Sequence, residues 1–286
     1  MLKRERLALP AKVVTYLAKL NPIFSKLITT KMEYMNILIE VKGKVQIITI
    51  NRPQSLNALN KDTLQELSDA LDHAAQNPAV RCIVLTGAGQ KAFVAGADIK
   101  EFADYNSRQG RDMALAGQKS VFDKIAHLSV PVIAAINGFA LGGGLELAMA
   151  CHIRYAAQTA QLGLPETTLG LIPGYGGTQR LPALVGLGHA FELILSAKYI
   201  SAEYAKQIGL VNEVFAPIEL LGKAVELAEL IAKNSPQAIE QAIAVINKSG
   251  QQDGFQSEIE AFGKLFDGTD KKEGVSAFLQ RRKPVF

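Results

Sequence analysis

Apolar and polar positions in this chain fall into short strand-like runs over its first two thirds and into helical repeats toward its carboxyl end. Residues 36–41 and 44–50 alternate or run β-branched around Lys42-Gly43, which predicts a hairpin whose second strand ends at Arg52-Pro53. Leu64, Leu67, Leu71 and Ala74 share one face of a helix predicted over 64–75. Residues 82–86, CIVLT, form a continuous apolar run of the kind found in parallel strands covered on both faces. Next, AFVAGADIKEF (92–102) leads small residues and a glycine into a predicted helix. A polar helical stretch follows to about Leu128, and Pro131 introduces another strand.

That strand opens the stretch around which the chain is organised, VIAAINGFALGGGLELAMAC (132–151). A β-branched run breaks at Asn137-Gly138, passes Gly142, Gly143 and Gly144, and resumes as helix-forming residues. Its only charge is Glu146, a carboxylate that is costly to bury unless hydrogen-bonded, paired or protonated. Glycines just ahead of it imply a close backbone approach, with free N–H groups aimed from a helix start. A short strand (153–157) leads to a second glycine- and proline-rich stretch, 160–182, again with a lone acid, Glu166. Helices are predicted over 184–195 and 202–208, and Gly209 to Val211 leads out to a last strand. From Ile218 onward the pattern is amphipathic and helical. Strand–turn–helix units at 44–75, 82–105 and 132–150 suggest repeated ββα building blocks.

Composition narrows the classes. With 286 residues, 48% of them hydrophobic and 20% charged, the chain has the make-up of a globular protein with a sizeable core. The net charge of +4 is unevenly spread: residues 1–31 hold seven Lys/Arg against Glu5, leaving 24 basic and 26 acidic residues in the remainder. The body is therefore near neutral and offers no electrostatic footprint for nucleic acid. The basic leader reads either as a targeting or membrane-surface segment or as an upstream extension outside the fold, Met32 and Met35 being alternative starts. Its apolar runs are too short to span a bilayer. Cys82 and Cys151 sit in apolar runs without metal-binding spacing, so neither a disulfide framework nor a zinc site is expected, and a reducing compartment fits.

The chemistry lies in the glycine-containing pieces. Gly142 to Gly144 match neither the dinucleotide fingerprint nor the phosphate loop with its Lys-Ser/Thr. Two small-residue loops remain, AGAD (95–98) and LGGG (141–144), each able to present backbone N–H donors, together with two isolated glutamates. Two N–H groups aimed at one oxygen make an oxyanion hole, and two carboxylates in unlike environments can divide acid and base duty.

AFVAGADIKEF, PVIAAINGFALGGGLELAMACHIRYAA, LGLPETTLGLIPGYGGTQRLP, NRPQSLNALN and EGVSAFLQRRKPVF resemble the signature segments of the crotonase superfamily, and within it of enoyl-CoA hydratases. The resemblance covers residues 36–286. It implies an α/β fold, a crotonase-like spiral of ββα units over 32–216 carrying the active site, with a C-terminal helical oligomerisation region over 217–286 and residues 1–31 outside. It implies reversible addition of water to a trans-2-enoyl-CoA, with no cofactor beyond the coenzyme A thioester of the substrate. The N–H groups of Ala97 and Gly143 would form the oxyanion hole, and Glu146 and Glu166 would hold and activate a water. Gly174 would pack against that water and the acyl group. Ala58, Ala95, Gly96, Asp98, Ile99 and Lys100 would lie along coenzyme A, although Asp98 also reads locally as a helix N-cap and Lys100 as a solvated helix residue. A homotrimer, or a homohexamer made as a dimer of trimers, is implied as well, with no nucleic-acid partner and no stable membrane insertion. The expected location is cytoplasmic, or the mitochondrial matrix if the leader is a transit peptide.

Two other readings stand beside hydration. Isomerases of this superfamily typically keep one glutamate, whereas both positions are acidic here. An RNA-binding relative would want a basic face near 105–126, where Arg108, Arg111, Lys119 and Lys124 are balanced by Glu101, Asp104, Asp112 and Asp123.

Overall fold

The computed structural model describes residues 34–286, so the basic leader lies outside the described residues. Met35–Phe286 form one unit, built on two sheets. The predicted hairpin is present as β1 (Ile37–Lys42) and β2 (Val45–Ile50), paired antiparallel from Ile37 opposite Ile50 to Lys42 opposite Val45. Helix α1 (Lys61–Gln76) is longer than its apolar stripe because Asn60 caps it, its side chain accepting the Thr63 N–H at 3.0 Å. Leu67, Leu71 and Ala74 form its buried face.

The spiral follows from how strands are shared between sheets. β3 (Cys82–Gly87), β5 (Val132–Ile136) and β7 (Ile153–Ala157) join the large sheet in parallel, in the order β1-β2-β3-β5-β7-β10, with β10 at Glu213–Phe215. Each of the three is followed by a short strand in a second sheet: β4 (Ala92–Val94), β6 (Phe139–Leu141) and β8 (Gln161–Gly163), with β9 (Ile200–Ser201) antiparallel at its edge. Every turn of the chain thus lays one strand in each sheet. The repeating units differ from the spacing read in the sequence. The hairpin keeps both its strands in the large sheet, and the third unit is β7–β8 with the helix after it, within a stretch that reads as loop because β8 has only three residues.

β3 is buried at all six positions, as its unbroken apolar run predicts. One face of the large sheet, with Val45, Ile47, Val84 and Ile133, packs under Leu220, Ala224 and Ala228 of the C-terminal helical region. At the end of AFVAGADIKEF, where the small residues lead into a predicted helix, there is only a single 3-10 turn, Ile99–Glu101. Asp98 stands at its N-cap position but makes no cap bond, because its carboxylate is turned to Arg52 Nη2 at 3.1 Å. A full helix, α2 (Ser107–Gly117), starts where Asn106 and Gln109 form a capping box. It runs into a π turn at Gln118–Phe122 and then α3 (Asp123–Ala126). The central stretch gives α4 (Gly143–Ala150). Beyond the second glycine loop come α5 (Gly177–Ser196), kinked at Gly186, and α6 (Ala202–Gln207). The amphipathic tail forms α7 (Leu220–Ile231), α8 (Pro236–Ile246), α9 (Gly254–Leu265) and α10 (Thr269–Leu279). Among the described residues no helix is long and apolar enough to cross a membrane.

Candidate active site

A cavity of about 700 Å3 opens between the loop after β4, the start of α4, the loop around Glu166 and helix α2. Ala95, Gly96, Ala97, Ile99, Gly143, Glu146, Glu166 and Gly174 all line it, so most of the residues singled out in the sequence converge on one space. Ala58, Asp98 and Lys100 do not line it. The Ala58 carbonyl and the Asp98 carboxylate both receive the Arg52 guanidinium, and Lys100 is exposed on the 3-10 turn.

Two residues lining this space, Ala97 and Gly143, carry main-chain donors outside the regular hydrogen-bond pattern. Ala97 forms a parallel bridge with Leu59 in which Asp98 N–H and Gly96 C=O make the bonds, leaving the Ala97 N–H outside the ladder. Gly143 is the first residue of α4, where an N–H has no intrahelical acceptor. Among the described residues neither donor has a protein acceptor. They are neighbours: a Cβ on Gly143 would lie 3.4 Å from the Ala97 nitrogen. The approach is possible because Gly144 lets α4 rest directly on β4; a Cβ there would lie 1.9 Å from the Val94 carbonyl oxygen.

Glu146, in the first turn of α4, is 1% exposed. Its Oε1 accepts the N–H of Tyr175 at 2.8 Å and of Gly177 at 2.7 Å, leaving Oε2 without a protein partner among the described residues. Burial pushes this carboxyl up to about 7; the Gly177 and Tyr175 N–H groups and Arg180 oppose that, and the Glu166 charge adds to it. Glu166 opens a 3-10 turn, Glu166–Leu169, and its buried Oε2 has no partner among the described residues. Burial likewise raises its carboxyl. The two acids come together across Gly142, which adopts φ +49 and whose absent Cβ would stand 2.8 Å from Glu166 Oε1. Gly174 is open, a Cβ there meeting only Ala114 Cβ at 3.9 Å.

A raised carboxyl has a signed consequence for stability. The folded chain holds the Glu146 proton up to about pH 7, whereas an unfolded chain releases it near 4.5, the ordinary value of a solvated glutamate. Between these values the native state binds more protons, so unfolding free energy falls as pH rises and levels off above about 7. Glu146→Gln keeps the acceptor for both N–H groups without the charge. It is expected to be the more stable protein at pH 8, by on the order of 2 kcal/mol, and close to wild type near pH 4.5. Urea unfolding at the two pH values measures this, and a constant difference would refute it.

Other candidates are structural. His152 Nδ1 accepts the Val132 N–H at 2.9 Å, and burial lowers its pKa to about 4, so the ring is neutral. Both cysteine thiols are buried and pushed up to about 12. No three His, Cys, Asp or Glu side chains gather into a metal site among the described residues. Within GYGGTQR the sequence pattern points only to Gly174, yet Tyr175, Gly177 and Arg180 of that segment all act on Glu146. The sequence signal was the segment's density of glycine beside a lone arginine.

Comparison with known proteins places this geometry in context. The sequence profile of the enoyl-CoA hydratase/isomerase family matches residues 40–286. The chain is 48% identical over 255 residues to the short-chain-enoyl-CoA hydratase of Clostridium acetobutylicum, covering 88% of this chain and 97% of that one. It is 46% identical over 258 residues to the crotonyl-CoA hydratase of Syntrophomonas wolfei, covering 89% and 99%. Among solved structures, an enoyl-CoA hydratase from Bacillus anthracis superposes with a TM-score of 0.83 at 43% identity, covering 88% of this chain and 99% of that chain.

Proposed function

This chain belongs to the enoyl-CoA hydratase/isomerase family and is an enoyl-CoA hydratase, and from that premise we propose how its cavity carries the reaction. The observation that carries the reading is the convergence on one cavity of two carboxylates and two main-chain N–H groups that have no protein acceptor among the described residues.

In this reading the thioester oxygen of a trans-2-enoyl-CoA sits between the N–H groups of Ala97 and Gly143. As the water oxygen bonds to the β-carbon, the π electrons move through the α-carbon onto that oxygen. The enolate charge then develops where two donors and the N-terminal end of α4 are already oriented to receive it. Glu146, its Oε1 held by two peptides, presents Oε2 to the water and takes up proton density. Glu166 delivers a proton to the α-carbon, and the proton lost by water returns to the glutamate pair. The pair ends with the protons it began with, and titrates as a unit rather than as two independent acids. No redox or metal step enters. Ala95, Gly96 and Ile99 border the cavity on the side proposed for pantetheine, and Gly174 leaves room beside the acyl group.

The assay that tests this follows the ultraviolet absorbance of the conjugated thioester when crotonyl-CoA is added, and identifies the product by mass in heavy-oxygen water. Loss of the conjugated band with one labelled oxygen in 3-hydroxybutyryl-CoA is the expected result. Turnover of a 3-enoyl-CoA without label uptake would mean double-bond migration instead, and inactivity at every chain length would overturn the reading.

We further propose that the working form is a homotrimer or a pair of trimers. In support, α8 and α9 bury no residue within the protomer, and Ile246, Phe255, Phe262 and Phe278 are exposed. A protomer mass by light scattering would refute it.

A further inference from the structure

The loop from Gly174 to Gly177 has two sides. On one it holds Glu146 through the N–H groups of Tyr175 and Gly177. On the other it is gripped. The Gly174 carbonyl, in the same peptide as the Tyr175 N–H, accepts the Gln118 side-chain amide at 2.8 Å. The Tyr175 carbonyl accepts Arg180 Nη1 at 2.7 Å, and the other arm of that guanidinium donates to Asp123 Oδ1 at 2.7 Å. Tyr175 also stacks on Phe122, ring centroids 4.6 Å apart. Gln118, Phe122 and Asp123 all come from the π turn and the start of α3, so one segment braces the loop at three points. Gly176 makes room for this: its φ is +98, and a Cβ there would lie 2.1 Å from Arg180 Nη1.

We infer that Arg180, anchored on Asp123 and supported by Gln118, is a positioning residue for Glu146: it fixes the peptides that hold Oε1 and so reserves Oε2 for the reacting water. This rests on the water-orienting role proposed for Glu146. Three of the four residues in the loop are glycine, and such a backbone has many conformations open to it. The charge-assisted bond from Arg180 removes that freedom at the carbonyl next to the donors. The positive charge also favours the carboxylate form of Glu146. The other groups around it are Glu166, which opposes ionisation, and the Tyr175 phenol, pushed up to about 12 by burial and neutral. Asp123 offsets part of the guanidinium charge from the far side.

The test is steady-state hydration of crotonyl-CoA across pH by the full chain and its R180M, R180K and Q118L variants, with thermal unfolding alongside. R180M is expected to lose about 10- to 100-fold in kcat with KM within about twofold, the cost of misplacing a reacting group by an ångström or less. Its acid limb should move upward by about half a pH unit, because a cation facing a carboxylate is gone. R180K keeps the charge without the planar fork, and should restore the limb while recovering only part of kcat. Q118L should lower kcat with the limb unmoved. A residue that only stabilised the fold would lower the unfolding temperature and leave the limb in place. Wild-type kcat and limb in folded R180M would overturn the inference. If R180M does not fold, wild-type kcat in both R180K and Q118L would do so. Full turnover by Glu146→Gln, by contrast, would remove the premise and the inference with it.

Discussion

Glu146→Gln and Glu166→Gln each lower kcat for hydration by about a thousandfold or more, with KM little changed, and the double variant is scarcely worse than either single one. The substitutions are close to isosteric, so the loss reports chemistry rather than collapse. In Glu146→Gln the amide oxygen still accepts from Tyr175 and Gly177, but the group facing the cavity becomes an NH2 that cannot take a proton from water. In Glu166→Gln the buried oxygen that lacks a partner is replaced by a group with no acidic proton to deliver. Non-additivity follows because both carboxyls act on one water in one step. Stopped assays at equal folded concentration, checked by circular dichroism, measure all three. Turnover that survives Glu166→Gln would assign the chemistry to a single acid, as in double-bond migration. Losses that simply multiply would separate the glutamates into independent steps.

Gly144→Ala is expected to cost the fold and the site together. The methyl group would lie 1.9 Å from the Val94 carbonyl oxygen and 2.7 Å from its carbon, both backbone atoms with no side-chain freedom to yield. Helix α4 would have to move off β4 by about an ångström or more inside a packed interior, a shift worth about 3 kcal/mol or more. For a chain of this size that lowers the unfolding temperature by about 10 °C. The same shift would carry the Gly143 N–H away from the Ala97 N–H, so the folded fraction should also lose most of its kcat. Gly110→Ala in α2 is the control: nothing lies within 4 Å of a Cβ there, and alanine is the better helix former. Calorimetry of the two variants decides it, and equal unfolding temperatures would refute the close-contact argument.

How much of this was legible in the sequence depended on whether a feature leaves a side-chain signature. β3 showed itself as an unbroken apolar run, the hairpin as two runs around a glycine, and Glu146 as one charge among nineteen uncharged residues. The second sheet left no such mark. Its strands at Ala92–Val94, Phe139–Leu141 and Gln161–Gly163 have three residues each, too few for alternation to appear. Asp98 had the residue type and place of an N-cap, but a cation 46 positions earlier in the chain competes for its carboxylate. The partners of Glu146 are peptide groups of Tyr175 and Gly177, and no residue type announces a hydrogen bond given by its backbone.

The same invisibility has a consequence for inheritance. The donors assigned to the thioester oxygen hang from the main chain at Ala97 and Gly143, and the first is already an alanine. A scan that trims side chains one at a time passes over them in silence. Exchange of the Ala97 side chain leaves the peptide that serves the oxygen chemically unaltered, so a gene can drift at that codon without touching the donor itself. Only proline removes such a group, and only a neighbour that tilts the peptide plane misdirects it. The Ala97 donor proposed for the developing charge is thereby sheltered from exchange of its own side chain, whereas the two glutamates are lost by any exchange of theirs.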